Sequence, residues 1–257
     1  MSFTAEWLAL REPADRAARD AGLVARAALA AGPDPVILDL GSGTGSTLRV
    51  MEPHLPDHAA WRLVDNDADL LEQARSDAHG SVETRAMDLR DLDALPLEGV
   101  TLVTASALLD LMPADWIARL ADRLAAARLP FYAALSYDGV MRWQPHLPGD
   151  ASVTRAFNDH QRGDKGLGAA LGPDSGPRSV EILRKAGFRV HHADSPWSLN
   201  GAEAPLHRAL LEGIASAAAE AGNADAAEWG RNRIRIAEQS RCHVGHIDIL
   251  ALPPCAG

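Results

Sequence analysis

The chain has 257 residues, of which 25 are Lys or Arg and 35 are Asp or Glu, so its formal net charge is −10. A hydrophobic fraction of 47% with 23% charged residues is typical of a folded globular protein and excludes a disordered one. The negative charge argues against a nucleic-acid partner, and because no apolar run reaches the roughly 18 residues that span a bilayer, we expect a cytoplasmic protein without membrane contact.

The first half of the chain alternates helix-like and strand-like segments. Residues 1–35 are Ala-rich and predict helices, interrupted where Pro13 opens a second helix. The predicted strands then cover residues 36–38, 61–64, 82–87, 100–105 and 131–136, and the predicted helices between them cover residues 46–51, 69–78 and 113–127. Strands separated by helices indicate parallel crossover units, so we expect an α/β fold with a doubly wound sheet and helices on both faces.

The alternation stops between residues 138 and 177, where Pro and Gly are frequent and periodicity is weak. A long loop inside a compact domain is more often functional than idle, so this segment is predicted to be a loop that contacts the substrate. After it, the pattern predicts a helix over residues 178–186, a strand over 188–193, helices over 203–221 and 226–239, and a last strand over 244–250.

The segment with the clearest chemistry is residues 36–45, which reads Val-Ile-Leu-Asp-Leu-Gly-Ser-Gly-Thr-Gly. Three closely spaced glycines let the backbone turn sharply at the end of a strand and approach a ligand closely. A nicotinamide-binding turn follows the pattern G-x-G-x-x-G, whereas Ser46 stands at the place of its last glycine and Asp39 precedes its first. An acidic turn suits a cationic cofactor better than a diphosphate.

This segment resembles the D-x-G-x-G-x-G motif of the class I S-adenosylmethionine-dependent methyltransferases, which is matched by Asp39, Gly41, Gly43 and Gly45. The resemblance continues with Asp65 after the second predicted strand, with Asp88 and Leu89 after the third, and with residues 104–109 after the fourth. It implies a Rossmann-like, mostly parallel, seven-stranded sheet with helical lid insertions. It also implies S-adenosylmethionine as the cofactor and S-adenosylhomocysteine as the product.

The resemblance implies a role for each matched residue. The acid at Asp65 binds the ribose hydroxyls, the acid at Asp88 takes the adenine amino group, and backbone around Gly41 and Ser106 receives the amino end of the methionine. Simpler interpretations stay open: Asp65 caps the next helix, or Asp88 lies in a solvated turn.

Two positions depart from the family pattern. Asn66 stands where many relatives have an apolar residue against the adenine, and Asp110 stands where many have a histidine. No general base therefore carries over from the family. We interpret residues 1–257 as one methyltransferase domain, with a helical lid at 1–35, a cofactor-binding core at 36–136, the substrate loop at 138–177, and a helical insertion at 203–239.

Candidate catalytic residues follow the fifth predicted strand. Ligands of open α/β sheets lie beyond the carboxyl ends of the strands, which brings Tyr137 and Asp138 close to the expected methyl group. Within the loop, His160 is the best general-base candidate because an unperturbed imidazole titrates near neutrality. The alternative for His160 is a solvated loop or helix end.

Candidate substrate contacts are Asn158, Arg162, Lys165 and Trp143. Arg162 and Lys165 are expected to hold an anionic substrate, unless they are ordinary surface charges. Trp143 is expected to belong to an aromatic wall with Trp7, Trp197 and Trp229, unless these side chains only pack.

An N-terminal cation closes over the cofactor carboxylate in some relatives, and Arg11 and Glu12 are candidates for that closure. Near the carboxyl end, four arginines form a local cluster. They are Arg231, Arg233, Arg235 and Arg241. A solvated helix face explains them better than a nucleic-acid patch, since acidic residues lie beside them.

No metal site is predicted. Cys242 and Cys255 are the only cysteines, too few for a disulfide framework and not spaced for a zinc site. His243 and His246 are an odd number of residues apart on the last strand, so they face opposite sides.

The leading hypothesis is a methyltransferase that acts on a small molecule. The alternatives are a non-catalytic relative that binds the cofactor as a scaffold or regulatory subunit, an RNA-modifying methyltransferase, and a nicotinamide-dependent dehydrogenase, which the glycine spacing opposes.

Overall fold

The computed structural model describes residues 3–254. Its strands are β1 Val36–Leu40, β2 Ala60–Asp65, β3 Ser81–Ala86, β4 Leu102–Ser106, β5 Phe131–Gln144, β6 Arg189–Asp194, β7 Trp197–Leu199 and β8 Arg241–Leu252. Its α-helices are α1 Ala5–Ala18, α2 Ala21–Ala30, α3 Ser46–Met51, α4 Ala68–Asp77, α5 Ala114–Ala126, α6 Asp150–Gln161, α7 Ser175–Lys185, α8 Ala204–Glu220 and α9 Ala226–Arg235.

Within residues 3–254, one sheet has the strand order β3-β2-β1-β4-β5-β8-β6, and the short strand β7 also pairs with β8. The first five strands are parallel, whereas β8 runs antiparallel to β5, β6 and β7. The predicted doubly wound, mostly parallel, seven-stranded fold is therefore confirmed, with β7 as an addition. The order reverses between β1 and β4, which is where open α/β sheets bind their ligands.

The sheet is covered on both faces because its central strands are apolar on both sides. On one face, Leu38, Leu40 and Val103 belong to a core with α5 and α7. On the other face, Ile37 and Leu63 belong to a core with α2, α3 and α4. A third core lies beneath α6, α8 and α9, around the C-terminal part of β5 and the N-terminal part of β8.

The N-terminal helices differ from the prediction at Pro13. This residue lies inside α1, and the second helix begins only at Ala21, with Asp20 as its N-cap. Pro13 is exposed, so water can satisfy the carbonyl group of Ala9 that the missing N–H leaves without a helical partner.

The segment at 138–177 is not the long loop that was predicted. Strand β5 continues to Gln144 because it pairs with β8, and residues Asp150–Gln161 form α6. The signal for the extension is the alternation of buried Met141 and Trp143 with exposed Arg142, which has the period of a half-buried strand. The predicted helices of the 203–239 insertion are confirmed as α8 and α9. Cys255 lies outside the described residues.

Candidate active site

A cleft opens at the carboxyl ends of β1, β2 and β4, and α1 and the segment after α6 cover it. Seven of the predicted site residues line this cleft: Gly41, Gly43, Asp65, Asn66, Leu89, Ser106 and Lys165. They come from five separate segments of the chain, and the parallel sheet brings them together because the carboxyl ends of its strands share one edge.

The glycine turn needs its glycines. Gly41 and Gly43 have φ angles of 63° and 51°, in the left-handed region that side chains other than Gly rarely adopt. A Cβ atom on Gly43 would lie 3.0 Å from the side chain of Leu8, and one on Gly41 would lie 3.2 Å from the side chain of Leu108. Both neighbours line the cleft, so the glycines keep it open. Gly45 instead precedes α3 as its N-cap and does not line the cleft.

Asp65 ties the glycine turn to the end of β2. Its Oδ2 accepts a hydrogen bond from the backbone N–H of Gly43 at 2.9 Å, and its Oδ1 accepts one from the N–H of Asp67 at 3.0 Å. Each carboxylate oxygen has further lone pairs, so the side chain can also accept hydrogen bonds from a ligand in the cleft.

Asp39 does not line the cleft but lies beneath its floor. Its Oδ1 accepts a hydrogen bond from Thr104 Oγ1 at 2.7 Å, and its Oδ2 is buried without a partner in the described part of the chain. Burial raises the pKa of this carboxyl to about 6, although Thr104 and the nearby charge of Arg19 act in the opposite direction. The motif acid therefore contributes a negative charge below the cleft rather than at its mouth.

Arg19, the residue that ends α1, was not predicted from the sequence, and it lies behind the cleft lining rather than in it. It is only 6% exposed, and its Nη2 donates hydrogen bonds to Ser106 Oγ at 2.9 Å and to Thr47 Oγ1 at 3.3 Å, two side chains of the cleft. Its Nε and Nη1 are buried and have no partner within residues 3–254. A buried cation with free donors beside Asp39 is a costly arrangement unless a ligand or water completes it. No local pattern marks Arg19, because its partners lie far along the chain.

Asp88 does not line the cleft either. Its carboxylate accepts hydrogen bonds from Arg90 Nε at 2.7 Å and from Arg90 Nη2, and these bonds lower the pKa of Asp88. The next residue, Leu89, does line the cleft, and its carbonyl accepts a hydrogen bond from Trp116 Nε1 at 2.7 Å. The adenine contact at Asp88 stays a prediction, whereas Leu89 lines the cleft.

Of the residues predicted in the substrate loop, Lys165 reaches the cleft. Its Nζ donates to the carbonyl of His160 at 3.1 Å and lies 3.4 Å from the ring nitrogen Nδ1 of the same residue. His160 itself does not line the cleft, and its Nε2 lies 3.1 Å from Glu220 on α8. His160 is therefore placed to orient Lys165 rather than to face a substrate. Partial burial lowers the pKa of Lys165.

Tyr137 and Asn158 contact each other behind the cleft. The hydroxyl of Tyr137 donates a hydrogen bond to Asn158 Oδ1 at 2.7 Å, and burial raises the pKa of Tyr137 far above its usual range. A tyrosine held in this way stays protonated. Asp138 is half-buried and accepts the N–H of Val140 at 2.8 Å, within its own strand. None of these three residues lines the cleft.

Asp110 is a second buried acid beside the cleft, although it does not line the cleft itself. It lies between two cleft residues, Leu108 and Leu111, and its Oδ1 is buried without a hydrogen-bond partner in the part of the chain that the structure describes. Desolvation raises the pKa of Asp110 to about 6, against the opposing charges of Arg11 and Lys165, which both line the cleft. Asp110 is therefore itself a titratable group at the position where many members of the resembled family have a histidine.

Two residues predicted as substrate contacts, Arg162 and Trp143, do not line the cleft. Arg162 is exposed and pairs with Asp174 at 3.0 Å, away from the cleft. Trp143 is buried in the third core, where its indole lies 5.3 Å from that of Trp229 in an edge-to-face pair. The proposed aromatic wall is likewise not formed at the cleft, since Trp7, Trp143, Trp197 and Trp229 do not line it.

The two N-terminal candidates, Arg11 and Glu12, lie in different environments. Arg11 lines the cleft, where Asp15 accepts hydrogen bonds from its Nε at 2.8 Å and from its Nη2 at 3.1 Å. Glu12 turns away and accepts two hydrogen bonds from Arg49, both 2.6 Å long. The positive charge of Arg11 is thus already matched by Asp15, unlike that of Arg19.

The arginine cluster near the carboxyl end is not one solvated helix face. Arg233 is fully buried, where its Nε donates to Asp150 at 2.9 Å and its Nη1 donates to the carbonyl of Pro145 at 2.7 Å. This arginine therefore connects α9 to α6. Because it is buried, it cannot belong to a surface patch, and the arginine cluster no longer supports an RNA-binding function.

Within residues 3–254 no group of His, Cys, Asp and Glu side chains is arranged to hold a metal ion. In the same part of the chain, no helix combines the length and apolar character that crossing a bilayer requires.

Comparisons with known proteins agree on the fold. Residues 37–157 match a family model described as a methyltransferase domain, whereas no curated protein matches the chain by sequence. The YcgJ protein of Bacillus subtilis superposes with a TM-score of 0.52 at 12% identity, over 91% of this chain and 97% of that one. The cyclopropane synthase MmaA2 of Mycobacterium tuberculosis superposes with a TM-score of 0.51 at 12% identity, over 97% of this chain and 94% of that one.

Proposed function

We propose that this chain is a class I S-adenosylmethionine-dependent methyltransferase and that it transfers a methyl group to a small-molecule acceptor bound in the cleft, because residues 37–157 match a methyltransferase domain and the sheet has the expected topology. The observation that carries the proposal is the pair of buried, unpartnered groups on Arg19 and Asp39 beneath the glycine turn. A free guanidinium donor beside a free carboxylate oxygen complements an amino acid zwitterion, and the methionine end of the cofactor is such a zwitterion.

The residues of the cleft fit the rest of the cofactor as well. Asp65 has lone pairs left for ribose hydroxyls, and Leu89 offers an apolar contact for adenine. We assign the carboxylate to the positive charge of Arg19 and the ammonium group to the negative charge of Asp39, both acting from beneath the cleft floor, and to the backbone around Gly41. When bound, the cofactor supplies an electrophilic methyl group on a positively charged sulfur.

The chain's own contribution to the reaction is orientation, exclusion of water and removal of a proton. Four apolar side chains wall the cleft beyond β4 and keep it dry: Leu108, Leu111, Met112 and Leu167. Lys165 adds a cation that would hold a negatively charged part of the acceptor. We propose that Asp110, which is buried behind this wall rather than in the cleft lining, takes the proton that a protic acceptor loses as its lone pair forms the new bond to the methyl carbon and the bond from that carbon to sulfur breaks.

Titration calorimetry tests the proposal. S-adenosylmethionine and S-adenosylhomocysteine are expected to bind, while NAD is not. The Gly43→Ala variant should lose most of this affinity because its Cβ would crowd Leu8 at the cleft. Gly99→Ala is the matched control, since Gly99 has a similar φ of 71° but open space around the Cβ position. Binding of NAD alone would overturn the assignment.

A further inference from the structure

A second groove lies on the extension of β5 and β8, with β7 as the third strand. One face of this extension is buried in the third core through Trp143, Cys242 and Leu199. The opposite face is polar, as the alternation of a half-buried sheet requires. We call it the strand groove, and its polar residues are Arg142, Gln144, Ser198, Asn200, Arg241 and His243.

The strand register arranges these residues in two rows. Arg142 lies opposite His243, and His243 lies opposite Ser198. Gln144 lies opposite Arg241 in the adjacent row. Side chains directly opposite each other on neighbouring strands have Cβ atoms about 5 Å apart, and diagonal neighbours lie within reach of long side chains. The two guanidinium groups and the imidazole can therefore converge on one small ligand.

The charge of the groove is unbalanced. Neither Arg142 nor Arg241 makes an ion pair or side-chain hydrogen bond with any residue among 3–254, and no carboxylate lines the groove. Two acids lie near the groove without lining it: the carboxylate of Glu203 accepts a hydrogen bond from the backbone N–H of Asn200 at 2.9 Å, and the charge of His243 acts on Asp138. Arg142 and Arg241 are diagonal neighbours on adjacent strands, and two such cations without a carboxylate between them stand out in a chain with a formal charge of −10.

We propose that the strand groove binds phosphate, either as the free ion or as the monoester group of a small molecule. A phosphate dianion has several acceptor oxygens for two guanidinium forks, with Ser198 and Gln144 as neutral donors. A carboxylate has one charge and two oxygens and would leave one arginine unmatched. The groove has no aromatic lining on which bases could stack, which argues against a nucleic-acid strand. It shares no lining residue with the cleft, so this is a separate site.

The test compares inorganic phosphate, glycerol 3-phosphate and a short single-stranded oligonucleotide, each at constant ionic strength set with chloride. Binding is measured by calorimetry and by the rise in melting midpoint. The wild-type chain should bind both phosphate probes, and the Arg142→Gln/Arg241→Gln double variant should bind them at least about tenfold more weakly, since it loses the charge-assisted hydrogen bonds of both guanidinium groups. A monoester that binds more tightly than the free ion would identify an organic ligand as the source of the phosphate, and equal binding would identify the ion.

Arg85→Gln is the matched control, because Arg85 is an exposed arginine on strand β3 and is not part of the groove. It should bind phosphate as the wild type does. All variants should keep their affinity for S-adenosylmethionine. A failure of the phosphate proposal can therefore be distinguished from a failure of the proposed methyltransferase function. The double variant should melt no lower than the wild type in chloride, because it removes two neighbouring like charges that take part in no ion pair or side-chain hydrogen bond. The proposal is overturned by equal phosphate binding in the double variant, by no phosphate binding in the wild type, or by tighter binding of the oligonucleotide.

Discussion

Replacing Arg19 with methionine should weaken the binding of S-adenosylmethionine and leave the binding of its decarboxylated analogue nearly unchanged. Methionine is also long and unbranched and fills a comparable space in a site that is only 6% exposed, but it has no donor and no charge. If the free Nε and Nη1 donors of Arg19 hold the cofactor carboxylate, the substitution removes an interaction that only the carboxylated ligand makes.

The expected size follows from the contact type. A hydrogen bond to a charged group contributes about 1.5–3 kcal/mol, and each 1.4 kcal/mol changes a dissociation constant tenfold. Arg19→Met should therefore raise the dissociation constant for S-adenosylmethionine by roughly 10-fold to 100-fold. The lost hydrogen bonds to Ser106 and Thr47 affect both ligands equally and cancel in the comparison.

The assay is calorimetry of both ligands with the wild type, Arg19→Met and Arg16→Met. Arg16 lies on the same helix, but its side chain is 58% exposed and its pair with Glu12 is 3.5 Å long, so its loss should change neither affinity. Circular dichroism checks that each variant is folded. Equal losses for the two ligands in Arg19→Met would refute the carboxylate assignment and leave Arg19 as a structural support of the cleft floor.

Three further substitutions test other parts of the molecule. Asp65→Asn should weaken cofactor binding in calorimetry and also lower the melting midpoint, because the carboxylate anchors Gly43 at 2.9 Å; unchanged affinity would remove its ribose role. Asp110→Asn should reduce turnover by roughly 10²–10⁴-fold at unchanged cofactor affinity. Burial raises the pKa of Asp110 to about 6, so the carboxylate base forms above that pH. Wild-type turnover should therefore rise through pH 6, and the variant should lack that rise. An identical pH profile in the two proteins would exclude Asp110 as the base. Arg233→Met should lower the free energy of unfolding in urea by roughly 3–5 kcal/mol, because it leaves the carboxylate of Asp150 buried without its cation. Adding Asp150→Asn should recover part of the loss. A small effect of the single change would contradict this.

Features that depend on neighbouring residues were predictable from the sequence. The run from Val36 to Gly45 predicts a buried strand and a glycine turn, and both are present as expected. The acids that follow β2 and β3 were correctly placed at strand ends, but their side chains diverge. Asp65 faces the cleft, whereas Asp88 turns to Arg90. Sequence position gives the end of a strand; it does not give the direction in which a side chain finds its best partner.

Errors concentrate where the partner lies far along the chain. The extension of β5 depends on β8, which is about a hundred residues away, so the segment after residue 138 resembles a loop when considered alone. Trp143 was predicted to contact a substrate, but it is buried by helices α8 and α9, which lie far from it along the sequence. His160 was predicted to be a base, and its contacts with Lys165 and Glu220 make it a support.

The sequence by itself determined the fold class, the glycine turn and the edge at which the cleft opens, because parallel strands joined by helices place their carboxyl ends together. Only the tertiary structure decided which charges act there. Arg19 reaches Ser106 across 87 positions, Arg233 reaches Asp150 across 83, and Arg142 is left facing His243 without a carboxylate. Electrostatic energy depends on distance in space and on burial, and packing alone sets both.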